Sequence, residues 1–357
     1  MAKNPVFDRN LYLLPIFEGD IVYFETALPF EGEEISLLYP IDKIISVRNY
    51  RLDIEYKEST DYVVKDGKLF ILPNGNIKTT SLDEYYSRKP GSVQIGVEPS
   101  RCPYKFSEQR YLMYGEGDYM TSRQIAVSYK HKGSWNLFKQ TNQTNKVKRF
   151  INKLINKQET TILFYGDSIT VGCNSSGTEY GGNQPPYAEP WPVMVTEYLK
   201  DKYNAKINYV NTAVGGKNTP WGLENFKDNV LKYNPDLLVI GFGMNDGFLP
   251  KEEHIKLIMN MVNQMREHNP DCDIILIATT VANNESTWFL AQNTYIDEYQ
   301  KIDLDNVALV DMTHTHLDLL RKKRFKDMTG NNVNHPNDFL ARVYAQSILE
   351  VMGELKK

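Results

Sequence analysis

Cysteine is scarce in this chain: Cys102, Cys173 and Cys272 are the only three in 357 residues, odd in number and far apart. Such spacing excludes a disulfide framework and a cysteine-ligated metal cluster, and Cys173 reads as a small buried filler. An excess of one charge is also lacking, since 41 Lys and Arg against 45 Asp and Glu leave a formal net charge of −4. Nothing therefore points to nucleic acid or an anionic membrane as a partner. No apolar run approaches the ~20 residues of a membrane-spanning helix. The start, Met-Ala-Lys-Asn-Pro-Val-Phe-Asp-Arg, has no apolar stretch of the secretory type. The expectation is a cytoplasmic protein, or a secreted one if a signal has been removed. Internal repeats and low-complexity linkers are missing too. What remains, 41% hydrophobic and 24% charged residues, is ordinary for a globular protein long enough for two domains. Its 23 tyrosines suit sugar or protein contacts, though Tyr-rich β structure explains them equally.

Two textures divide the chain. Residues 1–146 carry alternating or β-branched runs at 21–24, 43–47, 52–56, 62–64, 69–72 and 124–129, separated by turn signals such as Asp66-Gly67 and Pro73-Asn74-Gly75-Asn76. Many short strands at this spacing predict an all-β sandwich or jelly-roll-like domain. Nothing in it gathers catalytic groups, and support or interface is its expected role. Val147, Phe150, Ile151, Leu154 and Ile155 then follow helical spacing and predict a joint helix. In 147–357, strands at 162–165, 207–211, 237–241, 274–278 and 307–311 alternate with helices near 191–203, 223–233, 252–267 and 288–302, and a closing helix spans 339–352. Five strands with crossover helices predict an α/β domain with a doubly wound parallel sheet.

A parallel sheet brings its strand ends to one edge, where ligands bind. Polar or glycine-rich clusters follow the first three predicted strands: Gly166-Asp167-Ser168, then Asn211 to Asn218 with Gly215-Gly216, then Gly241 to Gly247 with Asn245. Asn334-His335-Pro336-Asn337 precedes the closing helix. Alone, each is a cap, a turn or a structural histidine; together they form an acyl-transfer set. Ser168 requires a base, because its hydroxyl is un-ionised at neutral pH, and His335 can take the proton and return it to a leaving alcohol. The N–H groups of Ser168 and Gly216 and the amide of Asn245 can stabilise the tetrahedral oxyanion, each such donor being worth about 3–4 kcal/mol.

The four blocks, Gly166-Asp167-Ser168-Ile169-Thr170, Asn211 to Gly216, Gly243-Met244-Asn245-Asp246 and His335-Pro336-Asn337, resemble those of the SGNH, or GDSL-type, hydrolase superfamily. The resemblance covers about residues 161–349. It implies a flavodoxin-like three-layer fold, Ser168 as nucleophile, His335 as base, an oxyanion hole at Ser168, Gly216 and Asn245, and neither cofactor nor metal. The chain departs from that family at the third triad member: Asn332 stands three residues before His335, where an aspartate is usual. The options are a Ser-His-Asn triad, a Ser-His dyad oriented by a backbone carbonyl, or an aspartate from elsewhere, such as Asp338 or Asp311. Asp167, Trp221 and Asp246 are the residues read as touching substrate, with Tyr180, Tyr187 and Trp191 in the 172–192 insertion placed to wall the pocket. His314 and His316 offer no third metal ligand and read as loop or rim residues.

A β-sandwich before an SGNH domain is similar to one group of two-domain carbohydrate acetylesterases. The expected activity is removal of a short acyl group, acetyl, from a carbohydrate. The alternatives are a lysophospholipase or thioesterase acting on lipid-like esters, and a catalytically weak carbohydrate-binding homologue. The expected partner is a small-molecule or oligosaccharide ester, with no nucleic acid and no membrane, and a homo-oligomer is left open.

Overall fold

A computed structural model of the chain describes residues 7–87, 102 and 104–355. Residues 1–6, most of the stretch inspected for a secretory signal, lie outside them. Among the described residues no helix is long and apolar enough to cross a membrane.

The runs in the first half form short antiparallel strands: β1 (Ile21–Ala27), β2 (Glu34–Ile35), β3 (Lys43–Asn49), β4 (Glu55–Tyr56), β5 (Tyr62–Lys65), β6 (Lys68–Ile71), β7 (Tyr86–Ser87), β8 (Tyr111–Leu112) and β9 (Ile125–Lys130). They assemble into sheets ordered β1-β9-β3-β4, β2-β6-β5 and β7-β8. Asp66-Gly67 makes the two-residue turn between β5 and β6, with φ of 50° and 72°. Positive φ at both positions matches the right-handed twist of the strands it joins. The strand expected over 52–56 shortens to β4, because Leu52 takes φ 61° in the turn that reverses the chain.

After the amphipathic helix Lys148–Ile155, which buries Phe150, Ile151 and Leu154, come β10 (Thr160–Gly166), β11 (Ile207–Asn211), β12 (Leu237–Gly241), β13 (Asp273–Ala278) and β14 (Val307–Asp311). All pair in parallel in the order β11-β10-β12-β13-β14. That is the flavodoxin-like order, with its switch point beside β10. Alternate residues leave opposite faces of the sheet. Ile162 and Phe164 join one buried cluster, with helices Trp191–Tyr203 and Asp338–Val351, while Leu163 and Tyr165 join another with helix Lys251–His268. Each fully buried side chain of this kind contributes about 1.5–3 kcal/mol.

Two expected helices are broken. Over 223–233 the chain forms only Thr219–Glu224, Phe226–Asn229 and a short 3₁₀ turn, because the Asn225 amide donates to Trp221 O (2.9 Å) and closes the first piece. Over 288–302 only Gln292–Thr294 and Ile296–Tyr299 are helical. There the Gln292 side chain accepts from Leu290 N–H (2.8 Å) and donates to Trp288 O (2.9 Å) and Met244 O (3.2 Å), tying this segment to the loop after β12.

The first half does not sit apart from the second. The cluster around Ile162 also contains Val22, Val47, Val127 and Tyr129. Lys323 and Glu25 form a fully buried ion pair at 2.7 Å. The segment before the closing helix is stitched to the β half: Gln124 Nε2 donates to Thr329 O (2.9 Å), and the Asn337 amide donates to Gln124 Oε1 and Thr26 Oγ1 (both 2.9 Å). His335 lies between these two anchors.

Candidate active site

Ser168 is presented by a tight exit from β10. A side chain at Gly166 would put its Cβ 2.3 Å from both Gly241 O and Thr170 Oγ1, so the strand passes its neighbour only because this residue is glycine. Asp167 then caps a four-residue helix, Ser168–Val171, by accepting from Ile169 N–H at 2.9 Å. Trp191, fully buried, supports the turn by donating its indole N–H to Ile169 O (2.7 Å). Ser168 borders a cavity of about 490 Å³.

The loop after β11 is drawn alongside it. Val214 N–H donates to Gly166 O (3.0 Å), and the Asn211 amide donates to Thr170 O (2.9 Å). A Cβ on Gly215 would lie 3.8 Å from Ser168 Cβ, and Gly216 has φ +74°. Gly215 and Gly216 both line the cavity. After β12, Gly243 at φ +132° starts a 3₁₀ turn that carries Asn245 into the same cavity. The Asn245 amide donates to Lys217 O (2.9 Å), which uses one of its two amide hydrogens.

His335 closes the arrangement. Its Nε2 lies 2.8 Å from Ser168 Oγ. Its Nδ1 faces Asn174 Oδ1 at 2.6 Å and Glu116 Oε2 at 3.3 Å. The Asn174 amide donates to Tyr180 O (3.0 Å), which fixes the oxygen toward the imidazole. Both neighbours of Nδ1 are thus acceptors, so Nδ1 carries the proton and Nε2 is free to accept from the serine hydroxyl. The loop is organised by Asn331, whose Oδ1 accepts from the N–H groups of Val333, Asn334 and His335 at 2.9–3.0 Å.

Asn332 does not approach the imidazole, which corrects its placement in the aspartate position. At φ +70° its side chain turns the other way, donating to Met113 O (2.8 Å) and meeting the Tyr85 hydroxyl (3.0 Å). Asp338 accepts from Ser176 N–H (2.8 Å), and Asp311 caps the helix Met312–Leu320, so neither reaches His335. Asn332→Ala is expected to cost about 2–3 kcal/mol of stability, through orphaned buried partners and an L-residue left at positive φ. Urea unfolding measures that loss. A shift in the acid limb of the pH–rate profile, with stability unchanged, would contradict this placement.

Asp167, Trp221 and Asp246, expected to touch substrate, lie away from the cavity that holds Ser168. None borders the cavity. Both aspartates are buried: Asp167 caps the nucleophile turn, and Asp246 accepts from Thr219 N–H (2.8 Å) and so holds two loops together. Burial pushes their carboxyls up, to about 7 for Asp167 and about 6 for Asp246. Trp221 packs beside Tyr165, with the Lys217 ammonium 5.4 Å from its ring. Tyr180 borders the cavity as expected; Tyr187 and Trp191 do not, and Trp288 and Tyr114 do instead. Cys173 also borders it, with its thiol pushed up to about 12 by burial and by the charges of Glu116 and Asp167. His314 and His316 lie on a helix rather than in a loop, His314 against Asp311 (2.7 Å) and His316 in the core. Among the described residues no group of three or more His, Cys, Asp or Glu could hold a metal ion.

Sequence reasoning missed Glu116, Asn174, Asn331 and Trp288. Glu116 carries one weak signal, a carboxylate between two glycines in Gly115-Glu116-Gly117, within a half that reads as strands and turns.

A model of the GDSL-like Lipase/Acylhydrolase family matches residues 164–342. No curated protein sequence matches. Among solved structures, a two-domain esterase (CEX) active on acetylated mannans aligns at 20% identity with a TM-score of 0.49, over 61% of this chain and 55% of that one. This chain thus spans about half the length of that protein. LAE5, an alpha/beta hydrolase from the metagenome of Lake Arreo, Spain, aligns at 17% identity and a TM-score of 0.46, over 56% of this chain and 97% of its own. Axe2, an acetylxylan esterase from Geobacillus stearothermophilus, aligns at 18% and 0.44, over 54% and 94%.

Proposed function

Because the chain belongs to the GDSL-like lipase/acylhydrolase family, and so is a carboxylic ester hydrolase of the GDSL type, we propose that it removes short acyl groups, acetyl above all, from a carbohydrate. The observation that carries the chemistry is the 2.8 Å contact between His335 Nε2 and Ser168 Oγ at the carboxyl edge of the parallel sheet. As Oγ bonds the ester carbonyl carbon, its proton passes to Nε2 and the carbonyl π pair moves onto oxygen. Ser168 N–H, Gly216 N–H and the Asn245 amide receive that oxyanion. Re-forming the carbonyl breaks the C–O bond to the sugar, whose oxygen takes the proton back from Nε2. Water repeats the sequence on the acyl-serine, releasing the carboxylic acid and restoring the hydroxyl.

Two features of the cavity support the substrate class. The aliphatic side chains beside Ser168 are short, Val171, Val214 and Val333, which suits an acetyl methyl. Tyr180 and Trp288 border the same cavity 53% and 45% exposed, rings open to stacking against a pyranose with Asn245 and Asn334 amides nearby. On this reading residues 1–146 are a β-sandwich-like domain and residues 147–357 the SGNH catalytic domain. The test compares p-nitrophenyl acetate, butyrate and octanoate, and assays acetate release from acetylated xylo- and manno-oligosaccharides. Acetate is expected to exceed octanoate by at least about tenfold in kcat/KM, with acetate released from an oligosaccharide. Preference for octanoate or a lysophospholipid would instead mark a lipid hydrolase.

A further inference from the structure

We propose that the negative charge that a Ser-His pair requires comes here from the β half: Glu116, acting with Asn174 on His335 Nδ1–H, forms a split third member of the triad. The proposal rests on the esterase reading and deepens it. The usual aspartate position holds Asn332, whose side chain is committed to Tyr85 and Met113. An amide alone fixes the imidazole tautomer but does not offset the positive charge that develops as Nε2 takes the serine proton. Asn174 Oδ1, at 2.6 Å, is the nearer acceptor and sets the orientation. Glu116 Oε2, at 3.3 Å, brings the charge.

Glu116 is built to stay ionised. It is 8% exposed, and its Oε1 accepts from the Asn331 amide (3.0 Å) and the Tyr114 hydroxyl (3.3 Å). Although burial acts to raise its carboxyl, His335 and the donated hydrogen bonds bring it below the ordinary value. Among the described residues no Lys or Arg lies within ion-pair distance of it, and its one ion-pair partner is His335. Asn331 couples the two parts, since it holds the Glu116 carboxylate with its amide and the His335 backbone N–H with its oxygen (3.0 Å). Among the described residues the other titratable groups around the imidazole are Asp167, whose carboxyl burial pushes up to about 7, and, bordering the same cavity, Cys173, whose thiol burial raises, with the hydroxyls of Tyr114 and Tyr180. Glu116 is therefore the carboxylate in ion-pair contact with the imidazole. The β half, expected from sequence to be support, becomes part of the catalytic apparatus, with Glu116 and Asn174 as positioning residues.

The test uses the full chain with Glu116→Gln, Glu116→Asp, Asn174→Ala and the Glu116→Gln/Asn174→Ala double variant. Two readouts are followed: kcat/KM for p-nitrophenyl acetate against pH, and the NMR titration of the His335 ring. The base must be neutral, so kcat/KM rises with pH through the histidine midpoint. Removing a facing anion disfavours imidazolium and moves that midpoint down. Glu116→Gln is expected to lower kcat/KM about 10- to 100-fold, mainly in kcat, because Asn174 still holds the tautomer. Both the acid limb and the NMR midpoint should fall by about one pH unit. Glu116→Asp should recover part of both effects. The double variant should lose more than the product of the single losses, since each residue still accepts Nδ1–H when the other is removed. A folded Glu116→Gln protein with the parental midpoint would overturn the proposal. The NMR midpoint needs no turnover, so its fall in a protein that hydrolyses no ester would uphold the charge pairing while the esterase reading failed.

Discussion

Ser168→Ala is expected to abolish ester turnover, by about 10⁵- to 10⁶-fold in kcat, with folding intact. The hydroxyl contributes little to the fold. Among the described residues its one side-chain hydrogen bond is to His335 at the cavity edge, and the turn that carries it is held by Gly166, the Asp167 cap and the Trp191 indole. His335→Ala should cost nearly as much, because without Nε2 the serine has no proton acceptor. The Ser168→Ala/His335→Ala double variant should be no worse than either single one, since the two residues act as a unit. Steady-state rates on p-nitrophenyl acetate, alongside thermal melts, check this. Substantial turnover in a folded Ser168→Ala protein would place the nucleophile elsewhere.

Asn245→Ala carries the second largest effect, an expected loss of about 10²- to 10³-fold in kcat with KM little changed. Asn245 is carried into the cavity by the turn after Gly243, and its hydrogen bond to Lys217 O orients the amide. A donor that serves the oxyanion acts on charge present only in the transition state, so its removal appears in kcat. Asn245→Asp should be at least as damaging, because a carboxylate accepts and repels where donation is required. A change confined to KM would mean that Asn245 only binds the ground state.

The parts of this site that sequence shows are those fixed by local structure. Strands β11, β12 and β14 end where their apolar runs end, and the residues beyond them must gather at one edge of a parallel sheet. Ser168, Gly216 and Asn245, beyond β10, β11 and β12, were legible for that reason, and His335 as the imidazole placed just before the closing helix. The orientation of His335 was not, because it depends on contacts between segments far apart in the chain. Asn332 was chosen by its spacing from the histidine, an argument that assumes one path for the loop. The actual path puts Asn332 at positive φ, facing Tyr85 and Met113. Glu116 belongs to a different half, and the bonds of the His335 loop to Gln124, Thr26, Tyr85, Met113 and Glu116 itself bring it near. The aromatic wall misled in a similar way. Trp221 follows the oxyanion block in sequence but packs against Tyr165, whereas Trp288 reaches the cavity because Gln292 breaks an expected helix and ties that segment to Met244 O.

The most direct measurement is trapping of the covalent intermediate. Full-length protein mixed with p-nitrophenyl acetate, quenched in acid and digested should yield one acetylated peptide, with the acetyl group on Ser168 in tandem mass spectra. The adduct should be absent from Ser168→Ala and from His335→Ala. Acetyl carried instead on Cys173, or turnover in Ser168→Ala with no adduct at residue 168, would contradict the mechanism.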